Sequence, residues 1–214
     1  MIDKQPQLQW LDMETAIEHC TRGASIWHWA SNEQGDAPDA VLACAGDIPT
    51  LETVAAAHWL RRHVPELQVR VVNVVDLMTL SPREFHPYGM DTTQLVDLFT
   101  DDRPVVFAFH GYQCAIHHIV YGQPHAERFH MRGFNEQGTT TTSFDMVMLN
   151  GMSRYHLYIE ALRRSACMRE CAPTLIAECT ARMAEATAYA REQLEDLPEI
   201  RGRTLTLYTA HYET

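Results

Sequence analysis

AVLACAGDIPTLETVAAAHWLRRHVPELQVRVVNVVD, Ala40 to Asp76, decides the fold class. AVLACAG is an unbroken apolar run of strand length that ends in a glycine. A strand with one wet face alternates, so an unbroken run marks a strand buried on both faces, as in a parallel sheet. DIPTLETVAAAHWLRRH follows with helical periodicity and a proline in its first turn, where a missing amide costs little. VRVVNVVD, Val69 to Asp76, is β-branched and reads as the next strand. Strand, helix, strand in that order implies a right-handed crossover and a parallel pair.

Downstream, RPVVFAFH (Arg103 to His110) is a third strand and RFHMRGF (Arg128 to Phe134) a fourth, less apolar one. The connection MTLSPREFHPYGMDTTQLVDLFTDD starts as a loop, because Pro82, Pro87 and Gly89 interrupt it. Asp91 then caps a short helix, Thr92 to Phe99. Upstream, Asp12 predicts a helix running to about Trp29, with Ile17, Cys20, Ala24 and Trp27 on one face. SNEQGDAPD is a loop by composition. Near the C-terminal end, Phe144 to Leu149 reads as a short helix stopped by Asn150-Gly151. Ser153 caps Arg154 to Arg164, and Pro173 to Leu194 is a long helix. RTLTLYTAHYET alternates and is either an edge strand or disordered.

With 214 residues, the chain holds one large domain or two small ones. Hydrophobic residues make up 46% and charged residues 21%, the ordinary globular range. The net charge of -11 argues against a nucleic-acid binder, which neutralises phosphates with clustered Lys and Arg. No apolar run approaches the ~20 residues of a membrane span, and no signal peptide is visible. Six cysteines without a C-x-x-C pair fit a reduced, cytoplasmic chain. Cys167 and Cys171, four apart, lack a second ligand pair at zinc spacing.

Ligands of open α/β sheets sit beyond the carboxyl ends of the strands. Those ends here are Gly46-Asp47, Asp76, His110-Gly111-Tyr112 and Gly133-Phe134. His110 is the leading candidate for acid–base or phosphate work, with Tyr112 beside it as a second binding candidate. The competing reading is a histidine bonded to the neighbouring loop. There is no G-x-G-x-x-G and no P-loop lysine. Asp47 and Asp76 read as residues that cap or terminate elements. His117, His118, His125 and His130 lack a carboxylate at helical spacing and read as surface and interface histidines. The threonine run of GTTTTSFDMVMLN, Gly138 to Asn150, is either an anion site or a helix start. Thr142 fits the N-cap and Asp145 the third helical position, where a carboxylate satisfies the dipole and repels phosphate.

Long strings carry a resemblance. AGDIPTLETVAA, VRVVNVVDLMTL, PVVFAFHGY, GTTTTSFDMVMLN and RYHLYIEALRR closely resemble the C-terminal domain of the phosphoketolases. These are thiamine-diphosphate enzymes that cleave xylulose 5-phosphate or fructose 6-phosphate with phosphate, giving acetyl phosphate and an aldose phosphate. The resemblance implies a transketolase C-terminal-domain-like α/β fold: a five-stranded, mostly parallel sheet with helices on both faces. It implies a largely non-catalytic structural and dimerisation domain, whose partners are the family's two thiamine-binding domains and a second copy of itself. Thiamine diphosphate and Mg²⁺ belong to the parent enzyme. The superfamily's G-D-G…N pattern for Mg-diphosphate is missing here, so no cofactor is expected in this chain and it is expected to be inactive alone. Lys4 resembles a family lysine near the substrate phosphate, in a full-length setting only. Ile2-Asp3 before it, where the family has small residues, together with the start at Met1, points to a truncated gene or an expressed fragment. Three stretches follow: 1–35, a lead-in and N-terminal helix; 36–170, the α/β domain; 171–214, the C-terminal helix and tail. The apolar and histidine-rich stretch Tyr112 to His130 fits poorly inside a sheet core and favours a homodimer. The reading set against this is a free-standing small-molecule or anion-binding regulatory module on the same fold. Neither nucleic acid nor membrane is an expected partner.

Overall fold

In the computed structural model, the residues described are 7–35, 37–135, 140–168 and 170–201. Lys4, the 203–214 tail and Thr139 lie outside them. Five strands form one sheet: β1 (Ala24–Ile26), β2 (Ala40–Ala45), β3 (Val69–Val74), β4 (Val105–Phe109) and β5 (Phe129–Gly133). Their order across it is β1-β3-β2-β4-β5. β2 pairs in parallel with β3 and β4, and β4 with β5; only β1 runs antiparallel, against β3. All six residues of β2 are buried, as an unbroken apolar run requires of a central strand.

The two sheet faces carry two cores. On one, Leu42, Val71, Val106 and Ala108 pack with α2 (Asp47–His63), α5 (Ser143–Leu149), α6 (Arg154–Arg164) and α7 (Ala172–Gln193). On the other, Val41, Val72 and Phe107 pack with Leu95 and Phe99 of α3 (Thr92–Phe99) and Ile116 of α4 (Gln113–Ile119). α3 begins in a full capping box, in which Asp91 and Gln94 each satisfy the other's amide.

The N-terminal helix is shorter than its pattern. α1 (Met13–Arg22) is capped by Asp12, but Gly23 ends it at φ 78°. A Cβ at Gly23 would stand 2.3 Å from Thr79 Cγ2, so glycine is needed both for the left-handed turn and for the close approach. Beyond it, Ala24–Ile26 pairs with Val72–Val74 and becomes the fifth strand. Ala24 and Trp27 are buried outside the helix, whereas Ile17 is 60% exposed and Cys20 is exposed. The inward residue of α1 is His19, 5% exposed.

Two other expectations change. The Tyr112–His130 stretch holds α4, whose Ile116, with Val120 just beyond it, fills the second core together with Phe129. The stretch thus sends some side chains into the core while the rest stays outside it, with Tyr112 63% and Tyr121 75% exposed. Ser153 stands at the N-cap of α6 but does not cap it; its hydroxyl meets His156 Nδ1 at 2.8 Å. The Arg154 amide is taken instead by Glu52 of α2, at 2.6 Å. The Arg154 guanidinium completes the contact, Nε to Oε2 at 3.0 Å and Nη2 to Oε1 at 2.7 Å. Both side chains are almost wholly buried, and Arg154 also lies 5.3 Å over the Phe144 ring. Burial opposes the Arg154 charge, but Glu52 more than restores it, so its pKa stands above the ordinary value.

Candidate functional site

The strand order reverses beside β2: α2 carries the chain to β3 on one side, and β4 follows on the other. Such a switch point opens a crevice beyond the strand ends. Gly46, at φ 103° and ψ 163°, turns β2 directly into α2. Asp47 is the first residue of that helix, and its Oδ1 accepts from the Ile48 amide at 2.8 Å. The same oxygen accepts from His110 Nδ1 at 2.9 Å. His110 also sets its edge against Phe134, with centroids 5.2 Å apart. The histidine that ends β4 is thus tied to the loop after β2.

Beside this pair lies a cavity of about 470 Å³, framed by the arm Gln7–Leu11, by α1, and by the ends of β2 and β3. Its polar wall, His19, Asn73 and Thr50, belongs to one chain of hydrogen bonds. The Thr50 hydroxyl donates to the Gly46 carbonyl at 2.6 Å, so its oxygen is free to accept from Asn73 Nδ2 at 2.9 Å. That orients the Asn73 amide, whose Oδ1 accepts from His19 Nε2 at 2.8 Å. His19 is then the Nε2–H tautomer, and Nδ1 accepts from the Ser25 hydroxyl at 2.6 Å. The protons all point one way, from β1 through α1 and β3 to the α2 start. Burial pulls the His19 pKa below its ordinary value, against the bond to Asn73. Burial likewise pushes the neighbouring Cys44 thiol up. Neither ring nitrogen of His19 is left for a substrate. The arm is seated by stacked indoles: Trp10 lies 6.0 Å from Trp29 and 6.2 Å from Trp27, and Trp27 and Trp29 are 5.3 Å apart.

Of the residues singled out in the sequence, His110 reaches the switch point. Tyr112 is 63% exposed at the N-cap of α4 and is not among the residues lining the cavity. Thr142 and Asp145 come together at the start of α5, where Thr142 Oγ1 accepts from the Asp145 amide at 3.4 Å. The Asp145 carboxylate accepts from the Thr141 hydroxyl at 2.7 Å and the Thr187 hydroxyl at 3.3 Å. A second carboxylate, Asp196, receives the Phe144 amide at 3.1 Å. Among the described residues, no three His, Cys, Asp or Glu side chains are grouped as a metal would need. The sequence reading missed His19, Ser25, Thr50 and Asn73. One signal was available: Asn73 is the lone amide in the apolar run VRVVNVVD. His19 gave none.

The XFP C-terminal domain family matches residues 4–205. A probable phosphoketolase 2 of Nostoc sp. is 50% identical over 197 residues, 92% of this chain and 25% of that protein. A probable phosphoketolase of Chlorobaculum tepidum is 49% identical over 199 residues, again 92% of this chain and 25% of that protein. The chain thus spans about a quarter of the length of the curated relatives it matches. Among solved structures, a mutant transketolase of Pichia stipitis aligns at TM-score 0.52 and 17% identity, over 78% of this chain and 21% of that one. That likeness shows the fold, a transketolase-like α/β domain. No described helix is long and apolar enough to cross a membrane. With the family matched along nearly its whole length, the chain belongs to the XFP C-terminal domain family, the C-terminal domain of the phosphoketolases.

Proposed function

We propose that the chain is the largely non-catalytic structural and dimerisation domain of a phosphoketolase, working beside two thiamine-binding domains in the cytoplasm. The parent reaction is then phosphorolytic cleavage of xylulose 5-phosphate or fructose 6-phosphate to acetyl phosphate and an aldose phosphate. The observation that carries this reading is how the crevice spends its polar groups. His19, Asn73 and Thr50 bond one another, and His110 bonds Asp47. The donor set does not fit a magnesium diphosphate: Asp47 is held by His110 and the Ile48 amide, and Asn73 by His19 and Thr50. Thiamine diphosphate and Mg²⁺ are assigned to the parent's other domains, and Lys4 to the substrate phosphate in the full-length setting. The relatives lend no support to a free-standing binding module.

The test is an acetyl phosphate assay. The chain with fructose 6-phosphate, phosphate, thiamine diphosphate and Mg²⁺ is expected to give none. A chimera carrying it in place of the C-terminal quarter of the Nostoc relative is expected to be active and dimeric. Product from the chain alone, or a folded but inactive chimera, counts against the reading.

The threonine run is, in the same reading, a helix start and not a phosphate site. Two carboxylates already occupy the first turn of α5, where the helix dipole favours them and an arriving phosphate meets like charge. Thr142→Ala is expected to cost about 1 kcal/mol of stability, measured by urea unfolding. Any response to added phosphate is expected to be the same in this variant as in the parent chain. A phosphate response that disappears with Thr142 would sink the assignment.

A further inference from the structure

At the opposite edge of the sheet, β5 sends Phe129 and Met131 into the second core and turns His130 and Arg132 toward α6. There a single carboxylate meets three guanidinium groups. Glu160, 7% exposed at its side chain, takes Arg132 Nη2 on Oε1 at 2.7 Å and Arg164 Nη2 on Oε2 at 2.7 Å. Arg163 Nη1 stands 3.9 Å from Oε1. The Glu52–Arg154 pair, between the same α6 and α2, is one to one. Among the described residues the β5 edge instead has three guanidinium groups against one carboxylate, two positive charges in excess, on a chain whose net charge is -11. The carbonyl end of α6 offsets roughly half a charge.

The excess is accessible. Arg132 and Arg164 are about a third exposed at their side chains and Arg163 more than half. Among the described residues Arg132 bonds only through Nη2, which leaves its Nε–H and Nη1–H groups, on different edges of the guanidinium, open to an oxyanion. Arg164 Nη1 donates to His130 Nε2 at 3.2 Å, which keeps that ring neutral with its proton on Nδ1. The local field acts on two imidazoles. Burial first, then Arg164, Arg132 and His117, hold the His130 pKa below its ordinary value, against Glu160. Burial first, then Arg132, do the same to His156, against Glu160 and Glu52, while Ser153 engages its Nδ1.

We propose that this edge binds a small oxyanion of charge -2, a phosphate monoester or a dicarboxylate, between the guanidinium groups of Arg132 and Arg164 with Arg163 at the rim. A bound dianion offsets the guanidinium field that adds to burial in holding the His130 and His156 pKa values down, so binding takes up protons and tightens as pH falls.

Calorimetric titration of the chain at constant ionic strength tests this with three probes: sulfate, glycerol 3-phosphate and succinate. Saturable binding of at least one is expected, and whichever of the two organic probes binds tighter identifies the source. Sulfate stays a dianion throughout, so its affinity is expected to rise from pH 8 to pH 6 through the protein alone. Arg132→Gln and Arg164→Gln are each expected to weaken binding about tenfold or more, as one lost charge-assisted contact implies. Arg22→Gln, on the far helix α1, is expected to change nothing. Arg132→Lys keeps the charge beside Glu160 if the glutamine variant does not fold, and is expected to weaken binding by losing the fork. No saturation with any probe, or full affinity in both Arg132→Lys and Arg164→Gln, overturns the proposal.

Discussion

Glu52→Gln is expected to destabilise the chain by about 3–5 kcal/mol, because it leaves the Arg154 guanidinium charged and buried without its counter-ion. The same change weakens the bond that satisfies the Arg154 amide at the start of α6. At about 2–4 °C per kcal/mol for a chain of this size, the melting temperature falls by about 10 °C. Replacing both partners, Glu52→Leu with Arg154→Leu, is expected to recover a good part of the loss, since two apolar groups leave no unpaired charge. Urea midpoints for the single and double variants measure the coupling between α2 and α6. A loss below about 1 kcal/mol for Glu52→Gln would show the pair to be incidental.

Asn73→Leu is expected to cost about 2–4 kcal/mol, since it strands the buried His19 Nε2–H and removes the donor to the Thr50 oxygen, whose hydroxyl still donates to Gly46. The same network makes stability depend on pH. The His19 pKa is lower in the folded chain than its ordinary 6.5, so the unfolded chain binds the proton first. The contribution is whole above pH 6.5 and is lost as pH falls through the folded pKa. His130 and His156 are shifted the same way and add to the slope. Unfolding free energies between pH 7.5 and pH 5 are expected to decline on the acid side, and less steeply in His19→Leu. A flat profile, or no change of slope in that variant, counts against the neutral His19.

The parallel core was legible because its signals are local. β2 is a six-residue apolar run, β3 is β-branched, and the Asp91 and Gln94 that cap α3 are three positions apart. β1 was not legible, for the opposite reason. Three residues show no period, and Ala24–Ile26 is a strand only because β3, some fifty positions on, offers its edge. The helical pattern from Asp12 ran through Gly23, whose left-handed turn lies so close to Thr79 that no Cβ fits there. α4 lay hidden among polar residues and histidines, with Ile116 and Val120 buried in the core and Ile119 half-buried against it. At the crevice, His110 could be found because it ends a strand. The His19–Asn73 bond spans 54 positions and the Arg154–Glu52 bond 102, and nothing in either local sequence names its partner.

Three of the four tryptophans of this chain, Trp10, Trp27 and Trp29, lie within 6.2 Å of one another, and only Trp10 belongs to the arm. Trp59 stands apart, edge-on to Tyr155 at 5.1 Å. Indoles this close couple their electronic transitions, so the near-ultraviolet dichroism and the fluorescence of the chain are weighted toward one contact. The native chain therefore carries its own optical gauge of whether the arm leading into the domain is seated, readable without any label.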